Sequence, residues 1–306
     1  MTPRRGADDA AIALALDDVR ARCDTAARRA IDPVGVLQRY DDTADQEIVG
    51  LIAACIAFGN VKTIRNKLED LLRRLGPHPA RIADDPAAVR AKLEGWYHRV
   101  FLGEDLAALV IGARRVQRES GSLGARFVRE LEGAPLREAL ARFCDAIRDA
   151  GGLHPQKARR GPAHLLPNPR GGSSGKRLFL YLRWMIRPAD GIDLGLWKVD
   201  PALLLCPVDV HIHKLSRNLG FTRRTDLSWR TAEEITRALA RFDPADPVKY
   251  DFALCHLGML QRCPSRRDAK RCEGCAVMPV CRHWATARSP AGPKPAKPVR
   301  GRRGER

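Results

Sequence analysis

Apolar residues along most of this chain recur at spacings of three and four, and alternating β-branched stretches are nearly absent. That pattern predicts helices and an all-α fold. A well-marked segment opens at Thr43: Gln46 three residues on predicts a capping box, and Ile48, Leu51, Ile52 and Cys55 form one apolar stripe ending near Gly59 and Asn60. Further helices are expected over about 62–75, 86–95, 104–119, 121–131 and 135–150, punctuated by Gly and Pro at their ends. The polar stretch from Gly151 to Ser174 carries little periodicity and leads straight into a helical run, Lys176 to Arg187. It reads as a functional loop.

Length and composition set bounds on this picture. With 306 residues, 44% of them hydrophobic, the chain can bury the core of one large or two modest domains. Lys and Arg number 54 against 36 Asp and Glu, a formal charge of +18, which favours polyanionic partners through phosphate neutralisation and counterion release. From about residue 288 the sequence turns to Pro, Gly and Arg, with seven basic residues against one Glu, and reads as a disordered basic tail. The rest of the chain stays basic without it. No apolar run reaches membrane-spanning length and the first residues lack signal-peptide features, so a cytoplasmic, nucleoid-associated protein without membrane contacts is expected.

Nine cysteines in such a compartment do not suggest disulfides. Four of them, Cys263, Cys272, Cys275 and Cys281, are spaced C-x8-C-x2-C-x5-C. Four soft ligands this close in sequence suit an iron-sulfur centre or zinc, and the single close pair favours a 4Fe-4S cluster, with zinc as the alternative. Closing such a cluster would pin Arg266, Arg267, Lys270 and Arg271 in a short loop fit to clamp phosphates.

Two further segments carry candidate chemistry. Gly171, Gly172 and Gly175 surround Ser173 and Ser174 just before the helix at Lys176 and Arg177, an arrangement whose backbone N–H groups suit a phosphate. A nucleotide-binding P-loop is rejected, because Arg170 and Arg177 stand where Gly and Ser or Thr are needed, so no nucleotide cofactor is expected. Downstream, Asp209 is placed to cap a helix whose buried face is Ile212, Leu215 and Leu219 and whose stop is Gly220. Taken alone, Asp209 reads as an ordinary N-cap. Cleavage of an N-glycosidic bond, however, develops positive charge on a sugar that a fixed carboxylate stabilises, and an amine can trap that sugar. Lys176, at a helix start behind the Gly-rich turn, is the candidate amine.

The segment PVDVHIHKLSRNLG, followed by FALCHLGMLQRC and the cysteine run, resembles the helix-hairpin-helix DNA glycosylases, which include endonuclease III and the archaeal 8-oxoguanine glycosylases. The likeness covers roughly residues 40–284. GGSSGKRLFLYLRWMIR, DLGLW, PVDVH and DPVKYDFAL look like a bacterial family of unassigned activity within that superfamily. The resemblance implies a two-lobed helix-hairpin-helix glycosylase-like fold with a C-terminal metal-cluster loop held by four cysteines. Its parts would be an N-terminal helix (1–40) packing with the C-terminal lobe, a central helical lobe (41–190), a C-terminal lobe (191–284) and the basic tail (285–306). It also implies Asp209 as catalytic carboxylate, Lys176 as Schiff-base nucleophile and the four cysteines as cluster ligands. The pattern departs from endonuclease III in its hairpin turn, in the first cysteine gap, and in the 33 residues between Lys176 and Asp209, a gap closer to that of the archaeal enzymes.

The function expected from these features is removal of a damaged base from double-stranded DNA, with β-elimination at the abasic site as an accompanying step. A non-catalytic DNA-binding or damage-sensing protein on the same scaffold is the alternative. RNA binding is the weaker competitor, since 6% aromatic content offers few stacking platforms.

Overall fold

The computed structural model of the chain describes residues 8–285. The basic run expected from about residue 288 lies outside them. The chain opens with α1 (Asp9–Ala21) and α2 (Thr25–Ile31), then a 3-10 turn over Pro33–Arg39. There follow α3 (Thr43–Ile56), α4 (Val61–Leu75), α5 (Pro79–Ile82) and α6 (Pro86–Leu93). A two-stranded antiparallel hairpin comes next, β1 (Tyr97–His98) and β2 (Phe101–Leu102), with Tyr97 opposite Leu102 and His98 opposite Phe101. The rest is helical: α7 (Gly103–Ser120), α8 (Leu123–Leu131), α9 (Leu136–Gly151), α10 (Gly161–Leu165), α11 (Lys176–Ile186), α12 (Val210–Leu219), α13 (Trp229–Leu239), α14 (Asp251–Leu260), α15 (Ala269–Cys272) and α16 (Arg282–Ala285). Among the described residues the fold is all-α but for that hairpin.

α3 is the axis of the molecule. Every residue from Glu47 to Ile56 is buried, because α4, α5, α7, α11 and the Pro33–Arg39 turn surround it. The single apolar stripe expected from Ile48, Leu51, Ile52 and Cys55 is therefore a helix covered on all sides. Its start also differs from the expected capping box. Asp42 is the N-cap, its carboxylate accepting from the N–H groups of Ala44 and Asp45, while Gln46 Nε2 donates to the Tyr40 carbonyl at 2.6 Å. A carboxylate one residue upstream outcompetes the Thr43 hydroxyl for the free N–H groups of the first turn.

Glu47 is fully buried and held by four donors: Gln117 Nε2 at 2.7 Å, Trp197 Nε1 at 2.8 Å, and the Leu123 and Gly124 N–H groups at 2.9 Å each. It thus bolts α3 to α7, to the start of α8 and to the segment after α11. α7 and α9 approach closely through glycines, since a Cβ on Gly112 would lie 2.1 Å from the Ile147 carbonyl oxygen and one on Gly151 2.0 Å from that of Ala108.

Toward the C-terminus, α14 packs on α12 and α1. A buried ionic network ties it to α11: Arg183 meets Asp251 at 2.6 Å and Asp193 at 3.1 Å, while Arg187 meets Asp246 at 2.8 Å and also pairs with Asp193. Desolvation raises the Asp193 and Asp251 carboxyls, opposed by these guanidinium groups. The network fixes where α11 lies relative to α14, and α12 packs on α14 through Cys255 and Gly258, one and two turns beyond Asp251. No helix among the described residues is long and apolar enough to cross a membrane.

Candidate functional site

The Gly-rich segment before α11 is a turn sewn to two distant stretches. The Ser174 N–H donates to the Leu227 carbonyl at 3.0 Å, its hydroxyl donates to the Val208 carbonyl at 3.2 Å, and Ser173 forms an isolated antiparallel bridge with Ser228. Gly175, in the left-handed region at φ 67°, ends the turn, and any Cβ there would press on the Phe179 ring at 3.2 Å. Ser174 is thereby pinned to the residue just before Asp209, which brings Lys176 beside it.

Asp209 is the N-cap of α12. One oxygen, Oδ1, accepts from the His211 and Ile212 N–H groups, both at 2.8 Å, so the helix start fixes its plane. The other oxygen, Oδ2, lies 3.5 Å from Lys176 Nζ. It also accepts from the Cys255 thiol of α14 at 3.5 Å. The lysine side chain is one-third exposed, at 34%, and that of Asp209 retains 13%, so the pair is held by the fold yet open to a ligand.

Other expected contact residues are placed differently from one another. Gly171, Gly172 and Ser173 are exposed, and the Gly171 carbonyl accepts from Arg137 at 2.6 Å. Ser174 is buried and its polar groups are occupied. Arg177 does not face solvent: its guanidinium donates to the backbone carbonyls of Cys55, His164 and Leu165. It is a structural strut joining α11 to the ends of α3 and α10, and burial lowers its affinity for the proton. Arg266, Arg267 and Arg271 line a cavity of about 380 Å³ together with Lys214, Arg262 and Asp268, the last paired with Arg271 at 3.5 Å. Lys270 is exposed on α15 beside it. The Arg267 guanidinium stacks on Trp284 at 4.1 Å.

The expected metal centre is corrected. Among the described residues, no group of three or more His, Cys, Asp or Glu side chains is arranged to hold a metal ion. Cys263, Cys272, Cys275 and Cys281 are free thiols, neighbours in sequence that do not assemble into an iron-sulfur or zinc ligand set. Burial raises the thiols of Cys263, Cys275 and Cys281 above the ordinary thiol range. What anchors this segment is Asn218 of α12. Its amide donates to Cys263 Sγ at 3.3 Å and to the Pro264 carbonyl at 3.4 Å, and its oxygen lies 3.0 Å from His283 Nε2. Clustering of cysteines along the chain was the signal, and it says nothing of whether the sulfurs point at one centre.

Sequence reasoning passed over Cys255, which sits in the apolar run FALCHLGML and reads there as packing. Only the packing of its helix on the helix that Asp209 caps, a contact between residues 46 positions apart, reveals it, and no sequence signal marks it.

Residues 32–260 match the model of a family described as a protein of unknown function, DUF2400. The match spans most of the chain, which belongs to that family. It includes Lys176, Asp209 and Cys255, and ends before Cys263. Searches of the curated proteins and of the solved structures gave no match.

Proposed function

We propose that this protein is a DNA N-glycosylase that removes a damaged base from duplex DNA, acting in the cytoplasm on the nucleoid. The observation that carries the reading is the approach of Lys176 Nζ to Asp209 Oδ2, 3.5 Å apart, across 33 residues of sequence. An amine with an adjacent carboxylate fixed by a helix start is the constellation that trapping a sugar cation requires. The basic balance of the chain, +18, and the cation-lined cavity of Lys214, Arg262, Arg266, Arg267 and Arg271 support a polyanionic substrate.

In the proposed reaction the target nucleotide turns out of the helix and its sugar lies against the pair. The bond between C1′ and the base nitrogen breaks, the base leaves with the bonding electrons, and it takes a proton from solvent. Asp209 stabilises the positive charge left on the sugar. The Lys176 ammonium gives a proton to Asp209, the resulting amine forms a bond to C1′, and the C1′–O4′ bond then breaks as a second nitrogen proton passes to O4′, leaving a protonated Schiff base. Water then releases the lysine, or β-elimination first breaks the 3′ C–O bond to phosphate. The test is base release and strand scission on a panel of lesion-bearing duplexes. Both should be lost in Asp209→Asn, and scission should be lost in Lys176→Ala. Full scission by Lys176→Ala would contradict the assignment.

A DNA-binding protein without chemistry is the second reading. The basic cavity favours it, because those cations contact phosphate whether or not a bond is cut.

A further inference from the structure

The Lys176–Asp209 pair has a third member. We propose that the Cys255 thiol is a positioning residue for Asp209, holding Oδ2 in place while Lys176 leaves it to attack the sugar; this rests on the glycosylase reading of the site. Oδ1 is saturated by two backbone N–H groups of α12, whereas Oδ2 forms an ion pair with the Lys176 ammonium and accepts a hydrogen bond from the Cys255 thiol, both at 3.5 Å. When the amine turns to carbon, one of these donors departs. Without Cys255, Oδ2 would then be left without a protein donor, and a partly buried carboxylate oxygen without a donor is costly.

The thiol suits this role because it stays protonated. Burial, reinforced by the carboxylates of Asp209 and Asp251, holds it well above the ordinary thiol range, so it donates a hydrogen and does not compete with Lys176 as a nucleophile. Its helix is rigidly placed. Asp251, one turn earlier on α14, is locked to Arg183, and it accepts from the Cys206 thiol at 3.7 Å. The ionic network thus fixes α14, α14 fixes Cys255, and Cys255 fixes Oδ2. No step of the reaction passes through the sulfur.

Two measurements on the full chain test this. The infrared S–H stretching band of Cys255, isolated as the difference between the unsubstituted protein and Cys255→Val, should lie low in frequency and move up in Asp209→Asn; an unmoved band overturns the contact. In single-turnover base release, Cys255→Val should slow by about tenfold with unchanged duplex affinity, and Cys255→Ser should recover most of that loss because its hydroxyl still donates. Equal rates for Cys255→Val and the unsubstituted protein would overturn the positioning role. If the unsubstituted protein releases no base from any duplex, the glycosylase reading fails and the role in catalysis with it, while the S–H band, which needs no turnover, still decides the contact.

Discussion

The Ser174 hydroxyl and the Val208 carbonyl are joined by a 3.2 Å hydrogen bond, and the residues that bring the candidate chemistry follow each of them: Lys176 two positions after the first, Asp209 next after the second. Geometry at the site therefore depends on a neutral bond that touches no substrate.

Ser174→Ala removes that bond and leaves a buried carbonyl without its partner. Stability should fall by about 1–2 kcal/mol, read from the urea midpoint, and base release should slow because Lys176 loses its registration to Asp209. A variant as fast as the unsubstituted protein would mean that the backbone bridge to Leu227 suffices.

Glu47 accepts from four donors, two on each oxygen. In Glu47→Gln one carboxylate oxygen becomes an NH2 group facing two N–H donors, and rotating the amide only exchanges one pair for the other. Loss of about 3 kcal/mol or more is expected in chemical denaturation. Unchanged stability would show that Glu47 is not the bolt of α3.

Removal of one partner of the buried network should be severe. Arg183→Met leaves Asp193 and Asp251 buried without their shared cation, and about 3–5 kcal/mol should be lost. Combining it with Asp251→Asn should recover part of that loss, a non-additivity measurable as a double-mutant cycle.

Asp84 gives a pH dependence at the surface. Hydrogen bonds from Arg114 and Arg118 hold its carboxyl well below the usual carboxylate range. The folded form is thus the more acidic, so its contribution is present above the unfolded value near ~4 and is lost as pH falls below it. Thermal midpoints of Asp84→Asn and the unsubstituted protein should differ at neutral pH and converge in acid. Because the pair is exposed, the difference should be small.

Much of the helical plan was legible from spacing alone. The run expected over 62–75 is α4, and the stretch behind Asp209 is α12, stopped by Gly220 in the left-handed region as its sequence predicts. What misled were features that tertiary structure decides. Arg177 beside Lys176 looks like a phosphate ligand until α10 and the end of α3 supply three carbonyls. Four cysteines close in sequence look like a ligand set, yet among the described residues they form no group arranged to hold a metal ion. The short hairpin at 97–102 and α10 within the polar loop have too few residues to show a period. Lys176 and Asp209 were legible as types but not as neighbours, because their meeting depends on Ser174.

In the proposed reaction Lys176 is an amine that bonds to DNA sugar under the control of Asp209. This role is tested most directly by borohydride reduction of the protein with lesion-bearing duplexes, followed by mass spectrometry of the trapped peptide. The account predicts a sugar remnant on Lys176, absent in Asp209→Asn. A remnant on any other residue, or no trapped peptide from a duplex whose base is released, would contradict it.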